Sequence, residues 1–167
     1  MSGVAAALSA PLLAAAAAVL WLRRTLVAVE VHGTSMAPTF HQGDRVLVRR
    51  RGLARLRVGD VVVFAPPRLP GEWGRPAGGR RVAGRRWVVK RVAALPGDPV
   101  PASCAAAPGV RPGGPVPPGH LLVLGDNPGH STDSREWGPV PADRVLGVAV
   151  RRLGSRAPVA GPEGAHL

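Results

Sequence analysis

Cysteine is nearly missing. Cys104 is the single one in 167 residues, so no internal disulfide can form. Tyrosine is absent and phenylalanine occurs twice. Aromatic platforms on which nucleic-acid bases stack are therefore scarce. No His/Cys pair has the spacing of a structural zinc site, and no metal or cofactor is expected. Acidic side chains number 10 against 22 basic ones, for a net charge of +12. Lysine is as scarce as cysteine: Lys90 alone, beside 21 arginines. A chain so averse to lysine that still places one makes that position worth explaining.

An excess of positive charge usually implies an anionic partner, either nucleic acid or a membrane surface. Arginines cluster at 49–51, 80–81, 85–86 and 151–152. A basic module that binds nucleic acid or lipid is thus one reading. With few stacking side chains, nucleic acid is not the expected partner.

Residues 1–22 carry no charged side chain, and Arg23 and Arg24 follow them. A run of about 20 apolar residues can span a bilayer as a helix, and Trp21 sits where an interfacial aromatic would. A cleavable leader is the rival. Its positive charge normally precedes the apolar run, whereas here it follows. Residues 1–24 are read as a retained membrane anchor. Arg23 and Arg24 favour a cytoplasmic carboxyl side by the positive-inside rule.

From Thr25 onward the texture is short β-branched runs between turn residues: 25–31, 44–50, 59–66, 86–95, 120–126 and 143–153. This predicts one mainly β domain over 25–153, with no convincing helical period and no internal repeat. Gly 22 and Pro 19 fall largely in loops at 66–85 and 96–119 and in a polar tail at 154–167, which is expected to be disordered.

"VHGTSMAPTF" (31–40) holds Ser35 between a glycine and a proline. A serine hydroxyl attacks only when a neighbouring base takes its proton. Lys90 is one candidate for that base. Strand alternation puts Val88, Val92 and Ala94 on its face. An ammonium there is drawn into an apolar setting, which lowers its pKa. A fall from about 10.4 to about 8 costs roughly 3 kcal/mol. Arginine is effectively never deprotonated in proteins, so a neutral base at this place has to be lysine. The alternative is a lysine whose stem lies on apolar surface while its head reaches water. Among the histidines, His130 lies near Asp126 and Asp133 and is the competing base for a Ser-His-Asp triad; His32 would point away from Ser35.

"GTSMAPT" (33–39), "KRVAALPGD" (90–98) and "GDNPGHSTDSREWGPVP" (125–141) resemble, in order, the conserved boxes of the type I signal peptidases, and "GDVVVF" (59–64) resembles a less specific one. Those are membrane-anchored Ser/Lys endopeptidases. The resemblance implies that Ser35 is the nucleophile and that Lys90 is the general base and later the general acid. It implies that Met36 packs beside the dyad, that Ser131 orients the lysine amine, and that Asp133 and Arg135 form a supporting ion pair. Gly125, Asp126 and Asn127 would shape a turn in the cleft wall. Some members carry a serine two residues before the nucleophile to help bind the oxyanion. Gly33 stands there in this chain, which would leave that duty mainly to the Ser35 N–H. The implied fold is β-rich and partly barrel-like, with an apolar groove where substrate adds as a strand. The implied substrates are exported preproteins with small residues at −1 and −3 of the cut. The implied location is the outer face of the cytoplasmic membrane, against anionic phospholipid. A related maturation protease with one dedicated substrate, working in the cytoplasm or at a membrane, is the alternative.

Overall fold

In a computed structural model, the structure describes residues 2–69, 72–73 and 86–155, with residues 2–12 described by their backbone alone. The chain opens with a helix, α1 (Ser2–Thr25), whose last turn carries Arg23 and Arg24. Cations at this end suit the helix dipole. Among the described residues no helix is long and apolar enough to cross a membrane. The span expected over 1–22 falls largely on residues whose side chains are not described.

Among the described residues seven strands follow: β1 (Leu26–Glu30), β2 (Asp44–Arg49), β3 (Val61–Phe64), β4 (Val88–Ala94), β5 (His120–Leu124), β6 (Val140–Pro141) and β7 (Val145–Ser155). They form one sheet in the order β1-β2-β7-β3-β4-β5-β6. All its pairings are antiparallel. The fold is mainly β, with the sheet curled as a half-barrel. A four-residue helical turn, α2 (Ser134–Trp137), is the one α-helix described after Thr25.

Both faces of the sheet are covered, so its central strands read as continuous apolar runs rather than alternating ones. Val63 and Val89 enter a cluster with Val29, Val31, Met36, Val46, Val48 and Leu146. Their neighbours Val62, Phe64 and Val92 enter a second cluster with Leu121, Val123, Val140 and Val148. Phe64 meets Trp137 edge-on at 6.0 Å between ring centroids.

The segment 96–119, expected to be a loop, is one with its own small core. Val100, Cys104, Ala107 and Val116 bury against Ala94 and Leu122, and Pro99 bridges to Pro115. Cys104 is buried and unpaired. The last strand runs to Ser155, two residues past the expected end at 153, because Asp44 and Arg45 of β2 pair with Ser155 and Gly154. Most of the loop expected at 66–85 lies outside the described residues, as do Arg80, Arg81, Arg85 and residues 156–167 of the tail.

Candidate active site

Ser35 sits in the connection between β1 and β2, on a tight turn that starts at Gly33, where φ is +82°. A Cβ at Gly33 would meet nothing within 4 Å. Space would therefore admit a serine, but the left-handed backbone favours glycine. The neighbour Met36 is buried in the first apolar cluster and pins the turn to the sheet. Ser35 itself is half-buried.

Lys90 lies mid-strand in β4, paired with Val62 of β3. It is 3 % exposed, and its Nζ donates to Ser35 Oγ at 2.6 Å. Val88 and Val92 belong to the same cluster as Val62, as alternation requires. Ala94 does not: a register shift between Val92 and Ala94 turns it into the cluster around Cys104. Burial pushes the Lys90 ammonium down from 10.5 to about 8; the nearby Asp133 carboxylate opposes the fall and Arg135 adds to it.

The third motif wraps the other side. Asn127 donates its backbone N–H to Ser35 O at 3.0 Å and its side-chain amide to Thr34 O at 3.2 Å. Gly125 is forced by close approach. A Cβ there would lie 2.1 Å from Ser131 Oγ and 2.6 Å from Ser35 O, well inside van der Waals contact.

Asp133 is fully buried. It accepts from Gly125 N–H at 2.9 Å, from Ser131 Oγ at 2.7 Å, and from Arg135 at 2.9 and 2.8 Å. Burial alone would raise its pKa. The bonds from Arg135, Gly125 and Ser131 outweigh that and hold it below the ordinary carboxylate value. Asp133 also caps α2 through Arg135 N–H. Ser131 therefore spends its proton on the carboxylate. Among the described residues no hydrogen bond joins it to Lys90; the lysine's bond goes to Ser35.

His130, the competing base, is exposed, and among the described residues no hydrogen bond links it to Ser35. His32 turns back on Glu30 O at 3.1 Å. Among the described residues no group of three His, Cys, Asp or Glu side chains could hold a metal ion.

Two further clamps on the Ser35 turn were not legible as such. Arg91, adjacent to Lys90, makes a two-pronged ion pair with Asp126 at 2.8 and 2.6 Å, and Thr39 Oγ1 donates to the same carboxylate. Arg91 raises its grip by donating also to Gly59 O at 2.9 Å. From β7, Arg152 donates to Thr39 O, lies 5.3 Å over the Phe40 ring and pairs with Asp44 at 3.2 Å. Asp44 is buried and its carboxyl is held low, first by the His41 N–H and then by Ser155. The sequence signal for the first clamp was the alternation that sends Arg91 away from Lys90. The second had none short of the sheet order.

The geometry is thus a hydroxyl beside a buried amine, with among the described residues no acceptor for the Ser35 N–H. The chain matches the family described as "Signal peptidase, peptidase S26" over residues 4–107 and 101–153. It is 33 % identical over 167 residues to a probable signal peptidase I-1 of Synechocystis sp., covering 86 % of this chain and 80 % of the relative. It is 34 % identical over 135 residues to a mitochondrial ATP-independent inner membrane protease subunit 1a of Arabidopsis thaliana, covering 78 % and 72 %. A signal peptidase I of Leptolyngbya laminosa is 31 % identical over 155 residues, covering 78 % and 70 %. The chain belongs to the signal peptidase family, peptidase S26, and is a serine endopeptidase that removes signal peptides.

Proposed function

We propose that Ser35 is the nucleophile and Lys90 the base of a Ser/Lys dyad held at a membrane surface. The observation that carries this is the 2.6 Å approach of Nζ to Oγ by a lysine whose pKa is pushed down to about 8. When the amine is neutral the hydrogen bond reverses, and the hydroxyl donates to the Nζ lone pair. Oγ then attacks the scissile carbonyl carbon as its proton passes to Nζ. The resulting ammonium gives that proton to the leaving amine, and the mature protein departs. Water then attacks the acyl-serine, losing a proton to Nζ; the ester bond to Oγ breaks as Nζ returns that proton to Oγ, and the signal peptide leaves with a new carboxyl end. The Ser35 N–H, which has no acceptor among the described residues, stabilises the oxyanion in both steps. Gly33 lets the turn present it, and Met36 keeps the turn seated. Ser131, Asp133 and Arg135 act as positioning residues that fix the wall beside Lys90.

The substrates are preproteins with small side chains, Ala-x-Ala, before the cut, bound as an added strand. The apolar run in α1 is a single membrane anchor, with the catalytic domain on the outer face of the cytoplasmic membrane, where +12 of charge suits anionic phospholipid. No nucleic acid and no cofactor take part. Arg23 and Arg24 favour a second reading, a maturation protease facing the cytoplasm with one client; protection of the catalytic domain from external protease in intact cells would select it.

The test uses the full chain in detergent with phospholipid and a preprotein whose leader ends in Ala-x-Ala. Wild type, Ser35→Ala and Lys90→Arg are compared by product mass. Cleavage after the second Ala by wild type alone is expected. Substantial cleavage by Lys90→Arg would refute the base assignment, because arginine cannot supply a neutral nitrogen.

A further inference from the structure

A second concave site lies away from the dyad, where α1 meets the sheet. Its volume is about 610 Å³, and Trp21, Leu22, Arg49, Arg51, Arg55 and Arg57 are among the residues that line it. This is the size range of a ligand site. Among the described residues no acidic side chain lines it. Among the described residues none of these four guanidiniums pairs with a carboxylate. Arg49, Arg55 and Arg57 are exposed and Arg51 is half-buried.

The wall is fixed by backbone. Arg50 N–H donates to Thr25 O at 2.8 Å, which ties the segment after β2 to the end of α1. Thr25 Oγ1 donates to Trp21 O at 2.9 Å and caps the helix. A short 3-10 turn, Leu53–Arg55, then folds the next arginines back, held by Leu56 N–H on Leu53 O at 3.0 Å.

Like charges converge only at a cost unless an anion sits among them. Arginine forks match phosphate oxygens. Val19, Leu20, Trp21 and Leu22 are all exposed beside this site, so an apolar rod leads directly to the cations. A ligand with a phosphate head and hydrocarbon tails satisfies both features. A free phosphate or a nucleic acid leaves the apolar part uncovered. We infer that this cavity binds the phosphodiester headgroup of one anionic phospholipid, with its acyl chains along the last turns of α1. The inference rests on the reading of α1 as a membrane anchor.

The test uses the full chain in a neutral detergent. Native mass spectrometry counts retained lipid, and titration gives its affinity. One phosphatidylglycerol per chain is expected, held more tightly than phosphatidylcholine. Arg51→Gln/Arg55→Gln/Arg57→Gln should bind about a hundredfold more weakly, at about fivefold per arginine. An Arg68→Gln/Arg86→Gln/Arg111→Gln control removes equal charge at exposed positions elsewhere and should leave affinity unchanged. If the triple variant fails to fold, Arg55→Gln alone should still weaken binding about fivefold. Equal affinity of wild type and the arginine variants would overturn the inference. So would equal affinity for the two lipids, displacement by millimolar inorganic phosphate, or displacement by an oligonucleotide at lower concentration than lipid. Carbonate washing of membranes tests the anchor separately: release of the chain would refute the anchor, while lipid retention in detergent still reports on the cavity.

Discussion

Replacing Lys90 by methionine should abolish activity and yet make the protein more stable at neutral pH. The unfolded chain holds the lysine proton up to about 10.5, whereas the folded chain releases it at about 8. Below pH 8 both states are protonated, and folding carries the whole penalty of burying the charge. At one pH unit per ~1.4 kcal/mol that penalty is roughly 3 kcal/mol, as an upper bound. Methionine has similar length and no charge to desolvate. It loses the hydrogen bond to Ser35, worth about 1 kcal/mol. The difference leaves the variant more stable by about 2 kcal/mol at pH 7. As pH rises from 8 to 10.5 the folded lysine is neutral while the unfolded one still gains by binding its proton, but progressively less. By pH 10 the penalty is under about 1 kcal/mol and about cancels the lost bond. The assay is urea denaturation of the full chain in mild detergent, followed by tryptophan fluorescence at pH 7 and pH 10. A Lys90→Met variant less stable than wild type at pH 7 would refute the reasoning. So would an advantage that does not shrink by pH 10.

Other outcomes are expected from the same geometry. Turnover of a preprotein should rise about tenfold between pH 7 and pH 9, as the neutral fraction of an amine titrating near 8 grows; a flat profile across that range contradicts the dyad. Gly125→Ala should lower kcat at least about a hundredfold, because its Cβ would lie 2.6 Å from Ser35 O; an active Ala variant would show that the turn can shift without consequence. Asp44, Asp126 and Asp133 all have carboxyl groups held below the ordinary 3.8. Their contribution is fully present above that value and lost as pH falls through their lower folded values. The urea midpoint should therefore drop from pH 6 to pH 3, and a midpoint that holds steady would mean these ion pairs contribute nothing. Arg91→Met should reduce kcat more than it raises KM, since Arg91 reaches the nucleophile turn through Asp126 and Thr39; a change confined to KM would place Arg91 in substrate binding.

Much of the architecture was readable because strands announce themselves by β-branched runs between turn residues. All six predicted runs contain a strand. β6 escaped because two residues, one of them proline, carry no periodicity. The core inside 96–119 escaped because its buried residues are small and irregularly spaced among prolines and glycines. Ser35 and Lys90 stood out by isolation, one serine in a turn and one lysine in an arginine-rich chain. Their meeting over 55 positions is a tertiary fact that no local pattern encodes. Ser131 shows how much a motif leaves unsaid: its hydroxyl donates to a fully buried carboxylate two residues away, a partner that only the fold reveals.

The position of β7 has a consequence in time. The Ser35 turn hangs from β1 and β2, and Lys90 sits on the unit of β3, β4 and β5. Among the described strands only β7 joins these two units in the sheet, and it comes after both of them in the chain. The strands that carry the Ser35 turn and Lys90 are thus made before the strand that lies between them. Seating β7 between them is therefore the step that brings Ser35 and Lys90 onto one sheet, and the timing of that step is set by the order in which the strands are made.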